Sequence, residues 1–205
     1  MEKDWTTQQV ETMPVIALRG LTIFPNALIH FDVAREISIK ALEEAMTAGS
    51  PVFLVGQKDL AVEKPEAKDL YTVGTVSKVR QILRMPGDNV RVMVEGLCRG
   101  SLDELKRTSP YLEAVVRTIP AEKAGNNSAK TEALIRSTYG MFQQYTELAP
   151  KTAPDLLINV LASEDPGYIA DFIAQNIAMR NSDKQAVLEE LRPVRRLERL
   201  YRLLC

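Results

Sequence analysis

The chain is predicted to be an α+β protein: a strand-rich first part that closes into a β-barrel carrying one helix, then an all-helical second part. Three observations predict this. Met13 to Val33, MPVIALRGLTIFPNALIHFDV, reads as two strands joined by an apolar turn; Tyr71 to Met85 and Val90 to Val94 read as a hairpin; and at Pro120 the apolar period changes from strand-like to helix-like. The expected division is a flexible tail over residues 1–12, a barrel over 13–119, a linker over 120–127 and a helical bundle over 128–205, its last helix truncated.

Taken in order, residues 1–12 offer little to bury, with Trp5 as their one large apolar group. Val15 to Leu18 carries no charge, which suits a strand covered on both faces. In the next strand Ile29, Phe31 and Val33 alternate with His30 and Asp32, so one face is dry and one wet. Between them Leu21, Ile23, Phe24 and Pro25 put apolar groups where the chain must turn at a surface, which is costly unless something covers them. Glu36 to Ala48 is rich in helix formers, with Ile39, Leu42, Ala45 and Met46 on one face, and Gly49 ends it. Pro51 to Val55 is a short apolar strand, and Lys58 to Asp69 an exposed loop. The hairpin turns at Pro86-Gly87-Asp88; Glu95-Gly96 marks a bend or bulge before a strand around Leu97 to Leu105, and Tyr111 to Ile119 supplies the last strand.

Beyond the polar linker the pattern is helical. Asn127 or Ser128 caps a long helix with Leu134, Ile135, Thr138, Phe142 and Tyr145 three or four apart, stopped by Pro150. Thr152 opens a helix to Leu161, Asp165-Pro166 opens one with a stripe of Ile169, Phe172, Ile173 and Ile177, and Ser182 caps Lys184 to Leu191. Pro193 begins the final helix, where Val194, Leu197, Tyr201 and Leu204 have the spacing of a coiled-coil seam. That pattern meets Cys205 with no helix-stopping residue, and a longer natural chain is expected.

Composition and motifs exclude much. With 26 basic and 27 acidic residues the net charge is -1, which gives no general attraction to nucleic acid or an anionic membrane. No apolar run approaches the roughly 20 residues of a membrane span, no signal peptide opens the chain, and Cys98 and Cys205 lack metal-ligand spacing; the expected setting is the reducing cytoplasm. There is no phosphate loop and no dinucleotide-binding turn. His30 lacks a fixed partner for a triad or a zinc site, and the adjacent pairs Glu43-Glu44 and Glu189-Glu190 point about 100 degrees apart on their helices, so neither is a catalytic dyad. The arginines from Arg192 to Arg202 are interleaved with glutamates and lack stacking aromatics, which favours a packed or partner-facing helix over a nucleic-acid stripe. No catalytic residue, metal or cofactor is expected in this chain.

Several stretches together resemble a known family. PVIALRGLTIFPNALIHFDVAREISIKALEEAM resembles the opening of the substrate-binding N-terminal domain of Lon, the ATP-dependent serine protease. GTVSKVRQILRMPGDNVRVMVEGLCR is similar to that family's hairpin, with Gly74, Thr75, Gln81, Pro86, Val94, Glu95, Gly96 and Arg99 in place. Pro166, Ala170, Asp171 and Ala174, then Lys184-Gln185, Leu188-Glu189 and Arg196-Leu197, resemble its helical part, so the likeness runs over residues 13–204.

The resemblance implies a PUA-like barrel followed by a helical bundle, attached in a homohexamer to an ATPase ring, which would hold ATP and magnesium, and to a Ser-Lys protease domain. It implies partners that are unfolded, damaged or degron-bearing proteins; composition and charge already argue against a membrane and against nucleic acid. A free-standing adaptor of the same fold is the alternative, and an RNA-binding PUA-like module a third. The candidate substrate-binding residues are Leu21, Ile23, Phe24 and Pro25 in the first turn and Met85 and Pro86 at the hairpin tip, all apolar where the chain reverses; Phe24 can instead plug the barrel. This chain has Val33-Ala34-Arg35-Glu36-Ile37-Ser38 where the family has V-G-R-E-K-S, and Arg35 and Glu36 are the candidates for an inter-domain or allosteric contact. The family's P-D-G turn stands here as Pro86-Gly87-Asp88.

Overall fold

A computed structural model describes residues 5–86, 89–122, 128–148, 160 and 162–205. The chain divides into two compact units, Met1–Ala121 and Glu122–Cys205. The expected turn at Gly87-Asp88, most of the linker with Asn127, Pro150, and the helix expected from Thr152 to Leu161 (Val160 apart) lie outside the described residues.

In the first unit the strands are β1 (Val10–Leu18), β2 (Leu28–Val33), β3 (Val52–Gly56), β4 (Val73–Arg84), β5 (Val90–Arg107) and β6 (Leu112–Ile119), with helix α1 (Glu36–Ala48) between β2 and β3. The sheet order is β2-β5-β4-β3-β1-β6, and β5 pairs with β6 as well, so the ladder returns to β5 and leaves β2 outside the ring. Parallel pairing of β1 with β3, Val15↔Phe53 to Leu18↔Gly56, accounts for the uncharged run in both: each strand is covered on both faces. One cluster, with Met13, Val15, Phe53, Val76, Cys98 and Val116, fills one side; the other, with Ile16, Leu18, Leu54, Val92 and Val94, packs under Ala41, Leu42 and Ala45 of α1. Burial pushes the Cys98 thiol up to about 12.

Several expectations are corrected. Residues 10–12 are strand, not tail: Val10 pairs with Arg117, and the Gln9 amide donates to Thr118 Oγ1 at 2.7 Å. Trp5 packs half-buried against the first cluster, which gives that end of the chain something to hold. β5 runs unbroken through Gly96; the irregularity is a bulge at Leu97, where Val76 faces Cys98 but Ser77 faces Gly96. On α1 the buried face is Ser38, Ala41, Leu42 and Ala45, whereas Met46 is 45% exposed. Small residues at three of those four positions let the helix sit close to the sheet, and the long side chains are turned aside. Pro65, expected in an exposed loop, is buried.

The second unit contains α2 (Ala129–Leu148), α3 (Pro166–Asn176), α4 (Asn181–Glu189) and α5 (Pro193–Leu204). Ser128 caps α2 by accepting from the Thr131 amide at 3.2 Å, and Asp165 caps α3 by accepting from Gly167 and Tyr168. α4 instead starts at Asn181, with Arg180 preceding it and no side-chain cap, so Ser182 lies inside the helix. On α5 the buried residues are Pro193, Arg196, Leu197 and Leu200; of the expected seam only Leu197 is buried, while Val194, Tyr201 and Leu204 are half-exposed. The cause is a buried cation. Arg196 donates to Asp171 of α3 at 2.9 Å, and to the carbonyls of Glu190 at 2.8 Å and Leu191 at 2.9 Å, which turns α5 so that the arginine points inward.

The Asp171–Arg196 side chains are only 5–6% exposed. Replacing Arg196 alone (Arg196→Met) strands a buried carboxylate and should cost about 3–5 kcal/mol, whereas Asp171→Leu with Arg196→Met should recover most of the loss. Urea unfolding of the two variants, followed by helical circular dichroism, tests this.

Candidate functional site

The turn between β1 and β2 begins at Gly20, whose φ of 69° is the left-handed backbone that favours glycine. It is tied down along its length. Thr75 Oγ1 donates to the Ile23 carbonyl at 2.6 Å, the Asn26 amide donates to the Gly96 carbonyl at 2.9 Å, and the Gly96 amide donates to the Ala27 carbonyl at 2.9 Å. Asn26 itself takes a φ of 63°, which asparagine tolerates better than most residues. At Gly96 a Cβ would sit 2.3 Å from the Phe24 carbonyl oxygen, so only glycine allows the turn to lie this close to β5.

This docking separates the candidate residues. Ile23 (2% exposed) and Phe24 (0%) are buried in the core and so are not open to a substrate; Pro25 is half-buried. Leu21 is half-buried at the surface. Met85 (38% exposed) and Pro86 stand in the open at the end of β4, beside Leu83 at 46%. Arg35 and Glu36 part company: Glu36 pairs outward with Lys40 at 2.6 Å, while Arg35 turns inward, donating to the Ala17 carbonyl and, at 3.3 Å, to Gln57 Oε1.

Arg35 and Leu21 meet in a groove of about 330 Å³ between β1 and β2. Its apolar lining is Ile16, Ala17, Leu18, Leu21, Phe31 and Val33; Arg19, Asp32, Ala34, Arg35 and Ser38 complete it. Met85 and Pro86 do not line it. Burial, and after it the charge of Arg19, pull the Arg35 guanidinium below its ordinary range. Arg19 bonds to the Val62 carbonyl at 2.7 Å, and among the described residues neither arginine has a carboxylate partner. Asp32 is already engaged, accepting from Arg91 at 2.7 and 3.0 Å, and that hydrogen bond holds its carboxyl below the usual range. Phe31, Val33 and Arg19 were not legible as groove residues, because their convergence depends on which strands are left unpaired. The alternation of β2 did mark Phe31 and Val33 as one face. Among the described residues no cluster of His, Cys, Asp and Glu could hold a metal, and no helix is long and apolar enough to cross a membrane.

Comparison with known proteins gives this geometry its context. The family described as the ATP-dependent protease La (LON) substrate-binding domain matches residues 12–205. The chain belongs to the Lon substrate-binding domain family. It is 39% identical to the Lon protease of Clostridioides difficile over 207 residues, covering 100% of this chain and 26% of that protein. Against the Lon protease of Desulforamulus reducens it is 38% identical over 192 residues, 94% of this chain and 24% of the relative. The chain thus spans about a quarter of the length of the Lon proteases it matches. In fold it is similar to the N-terminal domain of Mycobacterium avium complex Lon protease, with a TM-score of 0.75 at 16% identity over 95% of this chain and 98% of that one. It is also similar to a Lon N-terminal domain protein from Xanthomonas campestris, with a TM-score of 0.66 at 14% identity over 93% and 96% of the two chains. The fold is therefore the mixed, sheet-rich Lon N-terminal fold with accompanying helices.

The division between buried and open candidates can be measured by stability. Phe24→Ala should cost about 3–5 kcal/mol, as removing a fully buried aromatic does, whereas Leu21→Ser and Met85→Ser should each cost no more than about 1.5 kcal/mol. Thermal unfolding of the three variants decides it, and equal losses at Phe24 and Met85 would contradict the assignment.

Proposed function

We propose that this chain is the non-catalytic front end of a cytoplasmic Lon-type protease, and that it recruits unfolded, damaged or degron-bearing proteins. The observation that carries this reading is apolar surface left open on a well-packed unit: Leu21 and Phe31 half-buried along a groove, with Leu83 exposed on β4 and Met85 exposed just past its end. An unfolded chain presents the side chains that such a surface covers, and a folded protein hides them. At about 25 cal/mol per Å² even a few buried side chains yield micromolar binding after ordering costs.

The returning strand ladder supports reading the first unit as a PUA-like barrel, and the four described helices after Glu122 support reading the second as a helical bundle. In this reading ATP, magnesium and the Ser-Lys nucleophile belong to other parts of a homohexamer, whose entry side these domains help hold together. Arg35 and Glu36, at the start of α1, serve different ends: Arg35 shapes the groove and Glu36 remains on the surface for a neighbouring domain.

The test is capture of a permanently unfolded protein, such as reduced and carboxymethylated lactalbumin, by the wild-type chain and by Leu21→Ser/Met85→Ser. The double variant should bind about five- to tenfold more weakly, with a melting temperature lowered by no more than about 6–12 °C, as two losses of about 1.5 kcal/mol imply. Undiminished capture, or outright unfolding, would show that these side chains are bystanders or core.

A further inference from the structure

Among the described strands, β2 is the one with a single neighbour. It pairs with β5 from Leu28↔Glu95 to Val33↔Val90, and the sheet order ends there. Its six residues include no proline, so every one keeps an N–H for pairing. Phe31, Asp32 and Val33 all line the groove although consecutive side chains of a strand point to opposite faces; they reach one groove together through the strand's edge. Across the groove β1 is also released: β6 leaves it at Val15, and Ile16 to Leu18 pair with β3 alone. The groove is thus bounded by two strand edges, with Leu18, Leu21, Phe31 and Val33 as its apolar surface and two guanidiniums without carboxylates at its rim.

We infer that this groove takes an extended apolar peptide segment bearing a carboxylate, which adds as a strand to the free edge of β2 and sets its carboxylate on Arg19 and Arg35. The inference rests on the recruiting function proposed above and names the form in which a substrate is held. Main-chain pairing supplies affinity independent of sequence, alternate side chains enter the groove, and the charge selects. Charge complementarity identifies the occupant. Asp32 is neutralised by its two bonds from Arg91, so the groove presents net positive charge over an apolar floor. A neutral or basic segment brings neither arginine a carboxylate, while an acidic one pairs them in a partly desolvated setting where such bonds are strongest.

The experiment uses the whole 205-residue chain and a fluorescein-labelled decapeptide of alternating valine and threonine with aspartate at both ends. Fluorescence anisotropy should show the aspartate peptide binding at least fivefold more tightly than its asparagine counterpart, and Arg19→Glu, at an exposed position, should abolish that preference. N-methylation of one alternate set of peptide amides should weaken binding tenfold or more. Amide resonances of Leu28 to Val33 should shift on titration, and the peptide should displace carboxymethylated lactalbumin. Equal binding of the acid and amide peptides, insensitivity to Arg19→Glu, insensitivity to both N-methylation patterns, or no binding overturns the inference. So does self-association that protects the same amides without peptide, or single-stranded RNA displacing the peptide where unfolded protein does not. If lactalbumin is captured but the peptide neither binds nor competes, only the strand-addition inference fails; if lactalbumin is not captured, the recruiting function fails with it.

Discussion

The first unit depends on one absence: β5 carries no side chain at Gly96. There the turn after β1 lies against the strand so closely that a methyl group would overlap the Phe24 carbonyl oxygen at 2.3 Å. Two backbone hydrogen bonds, from Asn26 and to Ala27, use the space. Once the turn is seated, Ile23 and Phe24 are driven into the core, Thr75 fastens the Ile23 carbonyl, and Leu21 is held at the groove. The next residue, Leu97, is the bulge that changes the register of β5 against β4. A strand that serves β2 from Val90 to Glu95, β4 as far as Ser101 and β6 from Arg99 onward needs such a change of direction, because twist accumulates along its 18 residues.

Much of this was readable from pattern alone. The bounds of α1 and the capping of α2 by Ser128 and of α3 by Asp165 follow from local chemistry that acts within a few residues, and the uncharged run of β1 marked a strand covered on both faces. The misread places share a physical origin: each is decided by a partner distant in sequence. Val10 becomes strand because β6 offers Arg117, more than a hundred residues away. The seam of α5 is rotated because Arg196 has Asp171 to meet, and period alone gives a charged residue no reason to turn inward. Met46 was assigned to the packed face by spacing, but the sheet accepts the smaller Ser38, Ala41 and Ala45 at close approach.

The candidate site was legible only as composition. Six apolar residues at chain reversals could be named, yet burial divides them into core (Ile23, Phe24), groove (Leu21), half-covered (Pro25) and open tip (Met85, Pro86). Sequence carries no record of which strand will be left with a single neighbour, and that decides where a groove forms. Arg35 was singled out for an inter-domain or allosteric contact beside Ala34 and Ile37, the two places where this stretch leaves the family pattern; its bond to the Ala17 carbonyl, across the gap between two strand edges, is a matter of topology.

The two thiols differ in a way that has practical weight. Cys98 is buried in the first unit and its proton is held to about pH 12, while Cys205 is exposed. Because the thiolate is the reactive form, a sulfur kept protonated and covered resists oxidants and alkylating reagents alike. These 205 residues therefore already have what is normally engineered: one addressable thiol, Cys205, on a domain whose other sulfhydryl stays silent as long as its strands remain paired. A maleimide dye or a gold-tethering group can be placed there without mutation, and the delayed reaction of Cys98 becomes an internal clock for opening of the sheet.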